Sequence, residues 1–137
     1  MYFCLIREEL NMKVKYIIYN PAGNITAIVL DDKYSKEDRK RINDEIMRKE
    51  KEVEQVGFIS TSELKLTMAG DEFCGNATRC AIKYYLEDKN GEIKINVSGT
   101  GKVLEGGIDG NNIWVEMPIN NDIEKIDINI YRAKMDG

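Results

Sequence analysis

Residues 68–79 read MAGDEFCGNATR and place Cys74 on the first turn of a predicted helix, followed at once by two positions suited to binding an anion. The unpaired N–H groups and the positive dipole end of a helix N-terminus favour both a thiolate and a bound carboxylate. Such surroundings can bring a thiol into the range where it exchanges protons near neutral pH. The chain has no histidine, the usual proton shuttle at that pH. Cys74 is therefore the first candidate for a proton-transferring group.

The helix that follows Cys74 has the pattern of a buried central element. Its apolar residues recur at helical spacing and extend onto a second side: Ala77, Cys80, Ala81, Tyr84, Tyr85, Ile82 and Leu86. Only Arg79 and Lys83 are charged within it. We therefore expect Cys80 to be a core residue. Arg79 fits a charge on the helix surface as well as a site residue, and we assign it no role.

The rest of the chain alternates β-branched or aromatic runs with turn residues. Strands are predicted at residues 14–19, 25–30, 56–60, 64–68, 93–97, 103–108, 113–117 and 126–130. A highly charged surface helix is predicted from its N-cap, Ser35, to about Glu50, and Asp109-Gly110 indicates a hairpin. Many strands with one buried helix and one surface helix give an α+β domain.

Composition excludes several classes of protein. A chain of 137 residues forms one domain, and its net charge of −4 offers no basic surface to nucleic acid. No apolar run approaches the roughly 20 residues of a membrane span, so no membrane partner is expected. The odd count of three cysteines is typical of a reduced, cytoplasmic chain. Without histidine or a Cys-x-x-Cys pair, no metal site is expected.

The first eleven residues are set apart from the rest. They are too short, and too charged at their end, for a signal peptide. The patterned sequence begins at Met12, so we interpret 1–11 as an upstream leader and 12–137 as the domain. A chain that begins at Met12 is then expected to be as stable as the full chain.

Four short motifs resemble, in order, those of the diaminopimelate epimerase family. They are Asn20-Pro21-Ala22-Gly23-Asn24-Ile25-Thr26, Cys74-Gly75-Asn76-Ala77-Thr78-Arg79, Val97-Ser98-Gly99-Thr100-Gly101 and Val115-Glu116-Met117-Pro118. The second is similar to that family's Cys-Gly-Asn-Gly-x-Arg run, with Ala77 in the place of the second glycine. Their shared order over residues 13 to about 118 makes the resemblance specific.

The resemblance implies a fold and a mechanism. The fold is a diaminopimelate epimerase-like domain, a curved antiparallel sheet or barrel around the helix that carries the cysteine. The activity is inversion of an amino-acid α-carbon without pyridoxal phosphate or any other cofactor, by two cysteine bases on opposite faces of that carbon. Cys74 would be one acid/base. The amides of Gly75, Asn76 and Ala77 would hold the α-carboxylate, and Asn24 would hold the substrate from a facing loop.

One departure from the family pattern concerns the substrate. Family members that act on diaminopimelate carry an asparagine a few residues before the cysteine, and the nearest equivalent here is Thr67. Diaminopimelate, and with it a place in lysine biosynthesis, is one candidate substrate, although this departure counts against it. Another amino acid, as in a histidine racemase of the same architecture, fits equally well.

A second departure concerns length. Chains of the family are roughly twice as long and carry a second Cys-Gly-Thr-Gly-type motif, which this sequence lacks. The chain therefore resembles the N-terminal half of such an enzyme. Its expected partners are a small amino-acid substrate and either a C-terminal domain or a second copy of the chain. Two other functions stay open: a non-catalytic carboxylate-binding module, and a structural domain in which Cys74 is merely packed.

Overall fold

The computed structural model describes residues 2–6 and 12–118, with side chains from Lys13 onward. The predicted strand at 126–130, the side chain of Cys4 and the end of the chain at 135–137 lie outside these ranges. Within them, every predicted strand and helix is present to within a few residues. Neither described helix is long and apolar enough to cross a membrane.

Eight strands and two helices follow one another along the described chain. The strands are β1 (Tyr2–Ile6), β2 (Met12–Tyr19), β3 (Thr26–Val29), β4 (Gln55–Ile59), β5 (Lys65–Met68), β6 (Gly91–Val97), β7 (Val103–Asp109) and β8 (Asn112–Val115). The helices are α1 (Lys36–Lys49), between β3 and β4, and α2 (Gly75–Tyr85), between β5 and β6. This content is that of an α+β domain.

All eight strands form one sheet in chain order, from β1 to β8. Most neighbours are antiparallel, but β3 pairs with β4, and β5 with β6, in parallel. A chain needs a crossover connection to begin a second strand in the same direction, and α1 and α2 provide the two crossovers. The sheet is therefore mixed, and the expectation of an antiparallel sheet was wrong at these two pairs.

Helix α2 lies at the centre of one face of the sheet. It contacts β3, β4, β6, β7 and β8, so the sheet curves around it. Ile28, Ile59 and Leu66 pack on it from the strands. Gly106 allows the closest approach, because a Cβ there would lie 2.4 Å from Cδ1 of Ile82. The buried central helix that the apolar pattern predicted is confirmed.

Helix α1 covers part of the opposite face. The residues of β3 alternate between the two sides, so that Ala27 and Val29 pack in the same cluster as Ile42 of α1, while Ile28 packs with the residues of α2. Ser35 caps α1, as predicted, and its side chain accepts a hydrogen bond from the backbone of the third helical residue. Successive residues of β3 thus face the α1 side and the α2 side of the sheet in turn.

Strand β1 comes from the segment that the sequence set apart. It pairs with β2 antiparallel, with Tyr2 opposite Tyr16 and Ile6 opposite Met12. Removal of residues 1–11 would leave that side of β2 without its partner, so the pairing does not support the expectation of unchanged stability. The origin of the segment as a leader stays a prediction.

Candidate active site

Cys74 is the N-cap residue of α2, one position before the first turn where the sequence placed it. Its backbone is extended, with φ −139° and ψ 112°. Its carbonyl accepts hydrogen bonds from the backbone N–H of Thr78 at 3.0 Å and from the Thr78 hydroxyl at 2.8 Å. Its Sγ accepts a bond from the N–H of Ala77 at 3.5 Å. The sulfur of the half-buried Cys74 therefore takes the part that a serine or aspartate oxygen usually plays at a helix start.

A chain of hydrogen bonds runs from the thiol of Cys74 to the loop before β3. The thiol donates to Oε1 of Gln55 at 3.1 Å. Nε2 of Gln55 donates to Oγ1 of Thr26 at 2.7 Å, and that hydroxyl donates to the carbonyl of Asn24 at 2.9 Å. The structure thus connects Asn24 with Cys74. Gln55 was missed by sequence reasoning, because its only signal is the side of β4 on which it lies.

The first turn of α2 offers two backbone amides to a ligand. The N–H of Ala77 is already engaged by Cys74. Within residues 12–118, no hydrogen bond is formed by the N–H groups of Gly75 and Asn76, which the geometry of a helix start leaves without intrahelical partners. Three amides were predicted to donate hydrogen bonds to the α-carboxylate. Those of Gly75 and Asn76 are open, whereas that of Ala77 is bonded to the sulfur of Cys74.

The loop between β6 and β7 supports the segment that leads to Cys74. The hydroxyl of Ser98 accepts a hydrogen bond from the N–H of Met68 at 3.0 Å and donates to the carbonyl of Glu72 at 2.7 Å. Gly99 has φ +79°, and a Cβ there would lie 2.3 Å from the backbone N of Phe73. The third sequence motif therefore contacts the segment that leads to Cys74. Glycine is required at position 99 by its positive φ and by its close approach to Phe73.

Thr67 is not brought to Cys74. Its neighbours Leu66 and Met68 pack on α2, so its own side chain lies on the other side of the sheet, where its partner Phe58 packs in the α1 cluster. There it lines a cleft of about 450 Å³ together with Arg39 of α1. A direct role for Thr67 beside the cysteine thus lacks support from the geometry.

Two other residues of α2, Cys80 and Arg79, are buried. Cys80 is 2% exposed, and burial raises the pKa of its thiol to about 12. It is a core residue, as expected. Arg79 is 9% exposed, so of the two interpretations that the sequence left open for it, a charge on the helix surface does not fit the structure.

Known proteins similar to this chain are consistent with one another. A family model described as the histidine racemase CntK N-terminal domain matches residues 13–137. A histidine racemase of Fusobacterium nucleatum subsp. nucleatum is 32% identical over 131 residues, which is 85% of this chain and 48% of the relative. A histidine racemase of Staphylococcus aureus is 33% identical over 116 residues, which is 77% of this chain and 42% of the relative.

The chain spans about half the length of the relatives it matches. Their names do not fit lysine biosynthesis, so that expectation is not supported. The matched range of the family model contains Cys74, the helix it caps and all four sequence motifs. The chain belongs to the family of the histidine racemase CntK N-terminal domain.

Proposed function

We propose that this chain supplies one half of the active site of a cofactor-independent amino-acid racemase, with Cys74 as the acid/base on one face of the α-carbon. The observation that supports this most is the placement of the Cys74 sulfur at the start of α2, beside the open amides of Gly75 and Asn76. A thiol and a carboxylate-binding site are thereby adjacent on one helix end. Proton removal next to a bound carboxylate needs that adjacency.

The proposed roles follow from what each group offers. The amides of Gly75 and Asn76 bind the α-carboxylate and stabilise charge that develops on the α-carbon and carboxylate. Oε1 of Gln55 accepts a hydrogen bond from the thiol of Cys74 in the resting chain and fixes the direction in which the sulfur points. Asn24 is exposed in the loop before β3, from where its side chain is proposed to hold the substrate.

Histidine is the proposed substrate, because the similar proteins are named histidine racemases. The proposed fold is diaminopimelate epimerase-like, supported by the curved sheet around the helix that Cys74 caps. The second base is proposed to come from a C-terminal domain or another chain. Within residues 12–118, Cys74 and Cys80 are the cysteines present, and Cys80 is buried.

The test is exchange of the α-proton of L-histidine in heavy water, followed by proton NMR. The chain is combined with the second half of the Fusobacterium nucleatum relative, and Cys74→Ala is compared with Cys80→Ala. We expect exchange together with formation of D-histidine, read by circular dichroism; Cys74→Ala abolishes formation of D-histidine and Cys80→Ala retains it. Equal activity of the two variants would contradict the assignment of the base.

Binding is measured separately on the chain by itself, so that the result does not depend on assembly of two halves. L-Histidine is expected to shift the backbone amide signals of Gly75 and Asn76. Binding without exchange in the combined protein would identify a carboxylate-binding module. The absence of both would identify a structural domain.

A further inference from the structure

A cavity of about 210 Å³ lies beside α2, away from the groups assigned to proton transfer. Its walls come from three parts of the fold: the end of β2 with the loop after it, the middle of α2, and the start of β8. The polar side chains that line it are Tyr19, Asn20, Arg79, Lys83 and Asn111. The proposed mechanism assigns no role to the residues that line this cavity.

Arg79 is the group in this cavity that demands an explanation. The residue is 9% exposed, and its Nε is buried without a hydrogen-bond partner. Across residues 12–118, no acidic side chain forms an ion pair with Arg79. The Nε–H group has lost water without gaining a hydrogen-bond acceptor, which is unfavourable, and no acidic side chain within that range offsets the charge of the guanidinium. Binding of an anion at this guanidinium would therefore be favourable.

The neighbouring groups define the charge of that anion. Lys83 already forms an ion pair with Asp88 at 3.4 Å, so Arg79 contributes the one uncompensated positive charge. Burial raises the pKa of Tyr19 to about 12, which leaves its hydroxyl protonated and able to donate at neutral pH. The side-chain oxygen of Asn20 accepts a bond from the N–H of Gly23 at 2.8 Å, so its NH₂ group is the end left to donate. Donors and a single charge suit a monoanion.

We propose that the cavity around Arg79 binds the carboxylate group of a small organic acid, as a site separate from the start of α2. The planar fork of a guanidinium matches a carboxylate with two parallel hydrogen bonds. The volume lies below the range of about 300–1,000 Å³ that is usual for drug-sized ligands, so a ligand of few atoms is indicated. The carboxylate comes from a free acid in solution, and the alternative source is an acidic side chain of a protein.

The experiment measures the melting temperature of the full chain with sodium acetate, against sodium chloride at the same ionic strength. It compares the unmodified chain with Arg79→Met, which keeps the buried stem, and with Lys89→Gln, which removes an exposed charge. We expect acetate to raise the melting temperature of the unmodified chain and of Lys89→Gln, but not of Arg79→Met. Without acetate, Arg79→Met is expected to melt no lower than the unmodified chain, because it removes an uncompensated buried charge.

The same titration is followed by NMR through the Nε–H signal of Arg79, identified by its loss in Arg79→Met. A saturable shift of this signal with acetate, absent with chloride, is expected. Failure of acetate to move either the signal or the melting temperature would overturn the proposal. If Arg79→Met also melted well below the unmodified chain, the guanidinium would be paired with a protein carboxylate instead. Neither the melting temperature nor the Nε–H signal depends on racemase activity. The proposal for Arg79 can therefore be refuted without refuting the role of Cys74, and the reverse also holds.

Discussion

The thiol of Cys74 and the side-chain amide of Gln55 meet at 3.1 Å although 19 residues separate them in the chain. Their meeting is a result of sheet register. Parallel pairing of β3 with β4 sets Gln55 opposite Thr26, and α2 begins over this corner of the sheet. The direction of the Cys74 sulfur is therefore fixed both by its own helix and by two strands beneath it.

Thr26→Val tests whether this hydrogen-bond chain is formed. Thr26 is fully buried, and its hydroxyl accepts from Gln55 and donates to the carbonyl of Asn24. Valine keeps the shape but leaves the Gln55 amide without its acceptor, so we expect a loss of about 1–3 kcal/mol in the free energy of unfolding, measured with urea. Thr61→Val, at an exposed position, should change it by less than about 0.5 kcal/mol. Equal unfolding midpoints for the two variants would contradict the chain of bonds.

The two cysteines of α2 should differ in their reaction with iodoacetamide. Cys74 is half-buried at the helix start, whereas Cys80 is 2% exposed and the pKa of its thiol is raised to about 12. Because the thiolate is the reacting form, we expect Cys74 to be alkylated much faster at neutral pH. Peptide mapping by mass spectrometry assigns the label, and Cys74→Ala serves as the blank. Labelling of Cys80 at the rate of Cys74 in the folded chain would argue against the acid/base assignment.

Two glycines of one loop form a matched pair for testing the support of Cys74. Both Gly99 and Gly101 have positive φ, at +79° and +63°, so alanine is strained at either. A Cβ at Gly99 would also meet the backbone N of Phe73 at 2.3 Å, whereas nothing lies within 4 Å of one at Gly101. We expect Gly99→Ala to lose about 1–3 kcal/mol more than Gly101→Ala in urea unfolding.

Alkylation separates a local effect from a general loss of stability. If the loop positions the cysteine, Gly99→Ala changes the rate at which Cys74 is labelled under conditions where the variant is still folded, and Gly101→Ala does not. Identical rates in the two variants would show that the loop supports the fold but not the site.

The sequence contained the order of the strands and helices but not all of their neighbours. Alternating β-branched runs and Asp109-Gly110 predicted the strands and the last hairpin, because these features are local. The hairpin has Gly110 and Asn111 at its turn, one position further along than Asp-Gly indicated, and Gly110 adopts the positive φ. The parallel pairs depend on how α1 and α2 cross the sheet, which no local pattern encodes.

The candidate site was predictable to the same extent. Cys74, Gly75 and Asn76 are consecutive, so one motif reveals them together. Gln55 reaches the thiol only because β4 lies beside β3, and Thr67 turns away only because β5 alternates its side chains between two faces. Positions that depend on packing between distant segments were beyond the sequence, and so was the burial of Arg79.

The buried thiol of Cys80 should make the chain less stable at alkaline pH. Its pKa is raised in the folded chain from 9.0 to about 12, so the unfolded chain ionises first. The contribution to stability is complete below pH 9.0 and is lost as the pH rises towards about 12. Between neutral pH and about pH 10.5, the free energy of unfolding should fall by ~2 kcal/mol more in the unmodified chain than in Cys80→Ala, as measured by urea unfolding. Parallel losses in both proteins would contradict the raised pKa.

The chain by itself should be unable to invert an amino acid. Inversion needs a base on one face of the α-carbon and an acid on the other, and residues 12–118 place one reactive thiol, that of Cys74, at a helix start. The buried thiol of Cys80 cannot serve as the second, since at neutral pH it stays protonated inside the core. One thiol that removes and returns the proton on the same face exchanges it without changing the configuration.

Heavy water separates these outcomes. L-Histidine incubated with the chain is examined by proton NMR for loss of the α-proton signal and by circular dichroism for loss of optical activity. We expect no racemisation, whether or not slow exchange occurs, and light scattering on the same sample reports the mass of the species. If a dimer racemises histidine, two copies of Cys74 must lie on opposite faces of the substrate. In mixtures of Cys74→Ala with the unmodified chain, activity would then fall faster than the fraction of unmodified chain. A monomer that racemises at enzymatic rates would show that a second base lies within this chain and overturn the two-part site.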